Sequence, residues 1–187
     1  MRIFLAVDLD ETLRSGIASV QRVLSREGMA GVRWADPVGI HLTLRFCGEI
    51  SRETVQRLIQ ALTPAAPHAS FPIRFGGLGT FPPKGSPRVL YIAVKEPGSL
   101  GPLAAWVEQR VVSAGLPREP RPFHPHLTLG KFLPGARPVS REILDVPEAR
   151  DLGVLSVGRI ILFESHLGPG GARYEALQPI PLEGSER

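Results

Sequence analysis

An α+β fold of two pseudo-symmetric lobes, each an antiparallel sheet with helices on its outer side around a central cleft, is predicted by three observations on this 187-residue chain. Strand-like and helix-like segments recur in the same order in both halves. The tetrapeptide His-Leu-Thr-Leu stands once in each half, at His41 to Leu44 and at His126 to Leu129. The connections are tight, which favours antiparallel pairs over a doubly wound parallel sheet.

The elements follow in order. Strand composition marks Ile3 to Val7, Ile40 to Phe46 and Phe71 to Leu78, then again Arg88 to Val94, Pro125 to Phe132 and Val154 to Phe163, with a last run from Tyr174 to Leu182. Leu13, Ile17, Val20 and Leu24 make one apolar helical face, and Val55, Leu58, Ile59 and Leu62 make another after a Ser51 cap. Leu103, Val107 and Val111 mark a third helix, ended by Gly115 and Pro117. The segment Phe81 to Pro87 carries the prolines and glycine of a hinge. We therefore expect one bilobal domain over 1–187, its lobes approximately 1–82 and 83–187, with strand exchange between them allowed.

Composition bounds the function. No apolar run of bilayer-spanning length exists, and Asp8 to Glu11 interrupts the first apolar segment before a signal peptide's core is complete, so a cytoplasmic protein is expected. The single cysteine, Cys47, excludes an internal disulfide and the zinc frameworks built on paired cysteines. A formal charge of +4, mostly from arginine, favours an anionic partner. Only a short polar tail from about Glu183 looks unstructured.

The repeated tetrapeptide carries the chemistry. With five histidines and six threonines in the chain, roughly 0.16 His-x-Thr pairs are expected by chance, before the leucines or the matching location are required. On a strand the side chains alternate, so His41 and Thr43 share one face and Leu42 and Leu44 the other, with the same division at His126, Thr128, Leu127 and Leu129. The leucines anchor and the polar pair is presented. A lone histidine on a half-buried strand is usually structural; two copies with same-face hydroxyls, brought to one cleft by a pseudo-twofold axis, form the outline of a phosphate clamp with a base and an acid.

These residues carry a family resemblance over nearly the whole chain. Arg2 to Val7, Arg33-Trp34, His41 to Glu49, Gly77 to Pro82, Arg88 to Tyr91, Pro125 to Lys131, and Glu164 to Gly168 followed by Tyr174 together resemble the two-histidine phosphoesterases, and within them the RNA 2′,3′-cyclic phosphodiesterases, the 2′-5′ RNA ligase-like family. The resemblance implies hydrolysis of RNA 2′,3′-cyclic ends to 2′-phosphomonoesters, with His41 as proton donor, His126 as proton acceptor, and Thr43 and Thr128 on the phosphate. It implies an RNA partner bearing a 2′,3′-cyclic phosphate end; no cofactor is expected. Two positions depart from the family pattern: Lys131 stands where many relatives have arginine, which keeps charge but loses bidentate geometry, and Cys47 where leucine is common.

Further candidates lie outside the motifs. Arg45 shares strand parity with His41 and Thr43, so it is expected either to line the cleft or to be a solvated strand-end cation. Lys131, Arg118, Arg121, Arg137, Lys84 and Arg88 are candidates for an electrostatic track for RNA. Phe81, Phe123 and Tyr174 offer base stacking or core packing. His68, His124 and His166 are not expected to be catalytic, and a metal reading fails because His41 and His126 lack an aspartate or cysteine set. No membrane partner is expected, and a monomer is. The same residues leave open ligation by a 2′-5′ bond, a phosphodiesterase acting on a small cyclic nucleotide, and a non-catalytic RNA-binding module.

Overall fold

A computed structural model describes residues 1–63, 66–136, 139–168 and 171–183. Ten strands form the sheet: β1 (Arg2–Val7), β2 (Val32–Trp34), β3 (Leu42–Glu49), β4 (Ala66–Ala69), β5 (Phe71–Phe81), β6 (Val89–Glu96), β7 (His126–Phe132), β8 (Gly153–Val157), β9 (Arg159–Gly168) and β10 (Gly171–Glu183). They run in the order β4-β10-β9-β1-β3-β7-β6-β5-β8, with β2 added on β7. The pairs are antiparallel except β10 with β4. The architecture is α+β and dominated by sheet.

The helices form where the apolar spacing demands. Helix α1 (Glu11–Arg26) starts at Asp10, whose carboxylate accepts from the Leu13 N–H, and buries Leu13, Ile17, Val20 and Leu24. Helix α2 (Arg52–Leu62) starts at Ser51, whose hydroxyl accepts from the Thr54 N–H at 3.1 Å. Helix α3 (Leu100–Ser113) ends at Gly115, where φ is +93°, a left-handed value that suits glycine. Two single-turn helices, α4 (Arg141–Leu144) and α5 (Pro147–Arg150), precede β8.

The helices and one face of the sheet share one apolar cluster, to which β1 gives Ile3, Leu5 and Val7, β3 gives Leu42 and Leu44, and β7 gives Leu127 and Leu129. Complete burial of one such leucine contributes about 2 kcal/mol. The opposite face of β1 carries Phe4 and Ala6, which are buried yet stand outside that cluster.

Two features differ from the sequence reading. The run Val154 to Phe163, expected as one strand, breaks at Gly158 into β8 and β9, which lie in opposite arms of the sheet: β8 pairs with β5, and β9 with β1 and β10. Strands β2 and β4 were not expected; at three and four residues they are too short to show a period. Each arm draws strands from both halves of the chain. The arms meet at a single register pair between β3 and β7, Leu42 with Leu127.

Candidate active site

Because Leu42 and Leu127 both point into the core, the residues flanking them emerge on the other face. An antiparallel pair at this position sets His41 toward Thr128 and Thr43 toward His126. All four are half-buried. Among the described residues neither threonine hydroxyl has a hydrogen-bond partner, so both are available to an incoming oxyanion.

The histidines are oriented alike. His41 Nδ1 lies 2.8 Å from the Gly39 carbonyl, and His126 Nδ1 lies 2.7 Å from the His124 carbonyl. A carbonyl only accepts, so each Nδ1 carries the proton and donates it. Each neutral ring therefore keeps its free lone pair on Nε2, the atom available for proton transfer.

Aromatic rings fix the imidazoles from the sides. Phe4 stacks on His41 with centroids 4.6 Å apart, and Tyr174 meets the same ring edge-on at 5.0 Å. On the other side Phe81 and Tyr91, themselves stacked at 4.4 Å, meet His126 edge-on at 5.1 and 5.5 Å. Burial pushes the His41 pKa below its ordinary 6.5, and repulsion from Arg14 adds to this; the Gly39 carbonyl and Asp8 work in the other direction.

The segment before His41 is held by a cation that sequence reasoning missed. Arg14 of α1 donates to the carbonyls of Pro37 (2.9 Å), Ile40 (3.3 Å) and Val38, and pairs with Asp8. It thereby fixes the 3-10 turn Pro37–Gly39 that supplies the carbonyl partner of His41. No pattern in the sequence marks Arg14 or Asp8, since their contacts depend on how α1 lies against that turn.

A β-bulge follows each motif. Ala6 pairs with Thr43 and Leu5 with Arg45, leaving Leu44 without a partner; Tyr91 pairs with Thr128 and Leu90 with Gly130, leaving Leu129 without one. The extra residue reverses the alternation beyond it, and this corrects the expectation for Arg45. Opposite the core residue Leu5, Arg45 is 8% exposed and turns toward the helices. There its guanidinium donates to Glu108 at 2.6 Å, to the Pro117 carbonyl at 2.5 Å and to Glu119 at 3.5 Å. It is a buried structural cation.

The corresponding bulge in β7 has the opposite effect on Lys131, bringing it to the face of Thr128. Lys131, Lys84, Arg88 and Arg118 are exposed and have no ion-pair partner among the described residues. Arg121 is bound to Glu119 at 2.8 Å, and Arg137 lies outside the described residues. Cys47 packs against the core, and burial pushes its thiol pKa up to about 11. His166 sits with Glu164 and Glu175 on the β9–β10 hairpin, outside the two motifs, their ligand atoms within 4.8 Å of one another and its Nε2 3.2 Å from the Glu175 carboxylate.

This fold and the paired motif define a two-histidine phosphoesterase. The chain belongs to the 2′-5′ RNA ligase superfamily, whose family model matches residues 11–168. It is similar to the RNA 2′,3′-cyclic phosphodiesterase of Archaeoglobus fulgidus, 35% identical over 178 residues that cover 95% of this chain and 98% of that one. Among solved structures it resembles TT0787 of Thermus thermophilus, with a TM-score of 0.82, 28% identity and full coverage of both chains. It also resembles E. coli LigT complexed with 3′-AMP, with a TM-score of 0.79, 25% identity, and coverage of 97% of this chain and 98% of that one.

Proposed function

We propose that the protein hydrolyses RNA 2′,3′-cyclic phosphate ends to 2′-phosphomonoesters, with His126 as general base and His41 as general acid. The observation that carries this is the matched orientation of the two imidazoles, each with Nδ1 committed to a backbone carbonyl and Nε2 left free. The activity named for the relative from Archaeoglobus fulgidus supports the substrate class.

In the reaction, neutral His126 takes a proton from water through Nε2 as the water oxygen attacks phosphorus. Protonated His41 gives its proton to the departing ribose 3′ oxygen, breaking the P–O3′ bond and leaving the phosphate on the 2′ oxygen. The hydroxyls of Thr43 and Thr128 donate to the non-bridging oxygens as their charge grows. Each proton transfer contributes roughly 10²- to 10⁴-fold. Burial disfavours the proton on His41 in the free protein; the negative charge of the arriving phosphate restores it, so the acid is armed by its substrate.

The reverse reaction, attack of a 5′-hydroxyl on the cyclic end to form a 2′-5′ bond, uses the same groups, and the superfamily name favours keeping it as the second reading. We take the protein to act as a cytoplasmic monomer, a setting that suits its single cysteine. Incubation with oligoribonucleotides ending in 2′,3′-cyclic phosphate, in the presence of excess chelator, tests the reading: a 2′-phosphate product is expected. A dominant 3′-phosphate overturns the assignment of acid and base, and no opening at all overturns the function.

A further inference from the structure

On the face of the sheet that carries Thr128, four residues lie in one row across four strands. Arg33 of β2 pairs with Lys131 of β7, Lys131 with Val89 of β6, and Val89 with Phe81 of β5. Directly paired residues share a face, so Arg33 and Lys131 stand side by side, and Phe81 closes the row beside His126. Lys131 lies two strand steps beyond Thr128 once the extra Leu129 is discounted, about 7 Å along β7.

Next to this row is a concave surface of about 860 Å³ formed by the loop after β7 and by the segment after Phe81, which the sequence suggested as a hinge between lobes but which closes a hairpin between the paired strands β5 and β6. Phe81, Pro87, Val89, Phe132 and Leu133 give it apolar walls, and Arg88 brings a cation. Leu133 is 52% exposed. The stretches 81–89 and 131–136 contain Lys84, Arg88 and Lys131 and no carboxylate. Flat apolar walls with unopposed cations match a nucleobase and its phosphate, and the volume is in the range of small-molecule sites.

The position of the cations says which nucleotide. Thr128 serves the reacting phosphate in the reading above, on which this inference rests. Lys131 stands two strand steps from Thr128 in the row that borders the concave surface, with Arg33 beside it, and there a second negative charge is wanted. A terminal nucleotide supplies one only through its 5′ phosphodiester, and beyond that link lies the preceding nucleoside. We propose that Arg33 and Lys131 bind the 5′ phosphodiester of the terminal nucleotide and that the Phe81–Leu133 surface receives the base of the nucleotide before it. The protein is therefore selective for oligoribonucleotide ends over cyclic mononucleotides.

The test compares kcat/KM for a 2′,3′-cyclic mononucleotide, a dinucleotide ending in the same cyclic nucleotide, and that dinucleotide with an abasic 5′ residue. The dinucleotide should exceed the mononucleotide by at least about tenfold, the scale of one stacked base, and the abasic form should lose most of the base's share. Leu133→Asp, at an exposed position, should lower the ratio of dinucleotide to mononucleotide. Both substrates opened with equal efficiency, or an abasic dinucleotide as good as the intact one, overturns the subsite and leaves the catalytic reading standing. Failure to open either substrate overturns the catalytic reading and the subsite with it.

Discussion

Leu42 and Leu127 face each other as the register pair that joins β3 to β7, and each is fully buried. The two leucines at the centre of the two motifs thus form the seam between the arms of the sheet. What holds the fold together at this point also sets the separation of the histidines.

Replacing either leucine by alanine removes buried methyl groups at that seam and should destabilise the protein by about 2–5 kcal/mol. Because the side chains meet, the double variant should cost measurably less than the sum of the two. Urea denaturation of the three variants checks this; strict additivity would mean that the seam is not a shared contact.

Gly130 stands opposite Leu90 where its counterpart in the first half is Arg45. A Cβ there would lie 2.6 Å from Val32 Cγ1 and 2.9 Å from the Arg33 carbonyl oxygen. Gly130→Ala should therefore push β2 off β7 and cost about 1–3 kcal/mol, read as a lowered Tm. An unchanged Tm would show that β2 yields without loss.

Arg45→Ala strips the half-buried Glu108 of its cationic partner and leaves the Pro117 carbonyl without the guanidinium. The expected loss is about 3 kcal/mol of stability, with no change in the salt dependence of RNA binding. A flatter salt slope with unchanged stability would return Arg45 to the RNA surface.

That residue also marks how far the sequence could be read. The alternation that puts His41 with Thr43, and His126 with Thr128, is a property of any strand, and the duplication made it visible twice. The same alternation carried one step further misassigned Arg45, because a bulge depends on how β3 is paired with β1 and leaves no trace in the residues themselves. The apolar faces and caps of α1 and α2 were legible because helical period and capping are local. The break at Gly158 was not, since one glycine within a strand-like run does not say which partner each half will take.

The burial of His41 makes a pH prediction. Its pKa in the folded protein lies below 6.5 and its unfolded value near 6.5, so the unfolded chain binds more protons in the interval between them. The stabilising contribution of neutral His41 is full above the unfolded value and is lost as pH falls through the folded one. Proton NMR of the His41 ring should show titration below 6.5 in the free protein and a rise on adding inorganic phosphate. A pKa above 6.5 in the free protein, or one indifferent to phosphate, would contradict the account.

The pairing of the two imidazoles is tested most directly by single-turnover opening of a cyclic-ended oligoribonucleotide by His41→Ala, His126→Ala and the double variant. Each single substitution should slow opening by roughly 10²- to 10⁴-fold. The double variant should be hardly slower than either, because acid and base act in one step. RNA binding, measured in parallel, should survive in all three. Either single variant retaining more than about a tenth of the rate would contradict the mechanism, as would losses that multiply in the double variant.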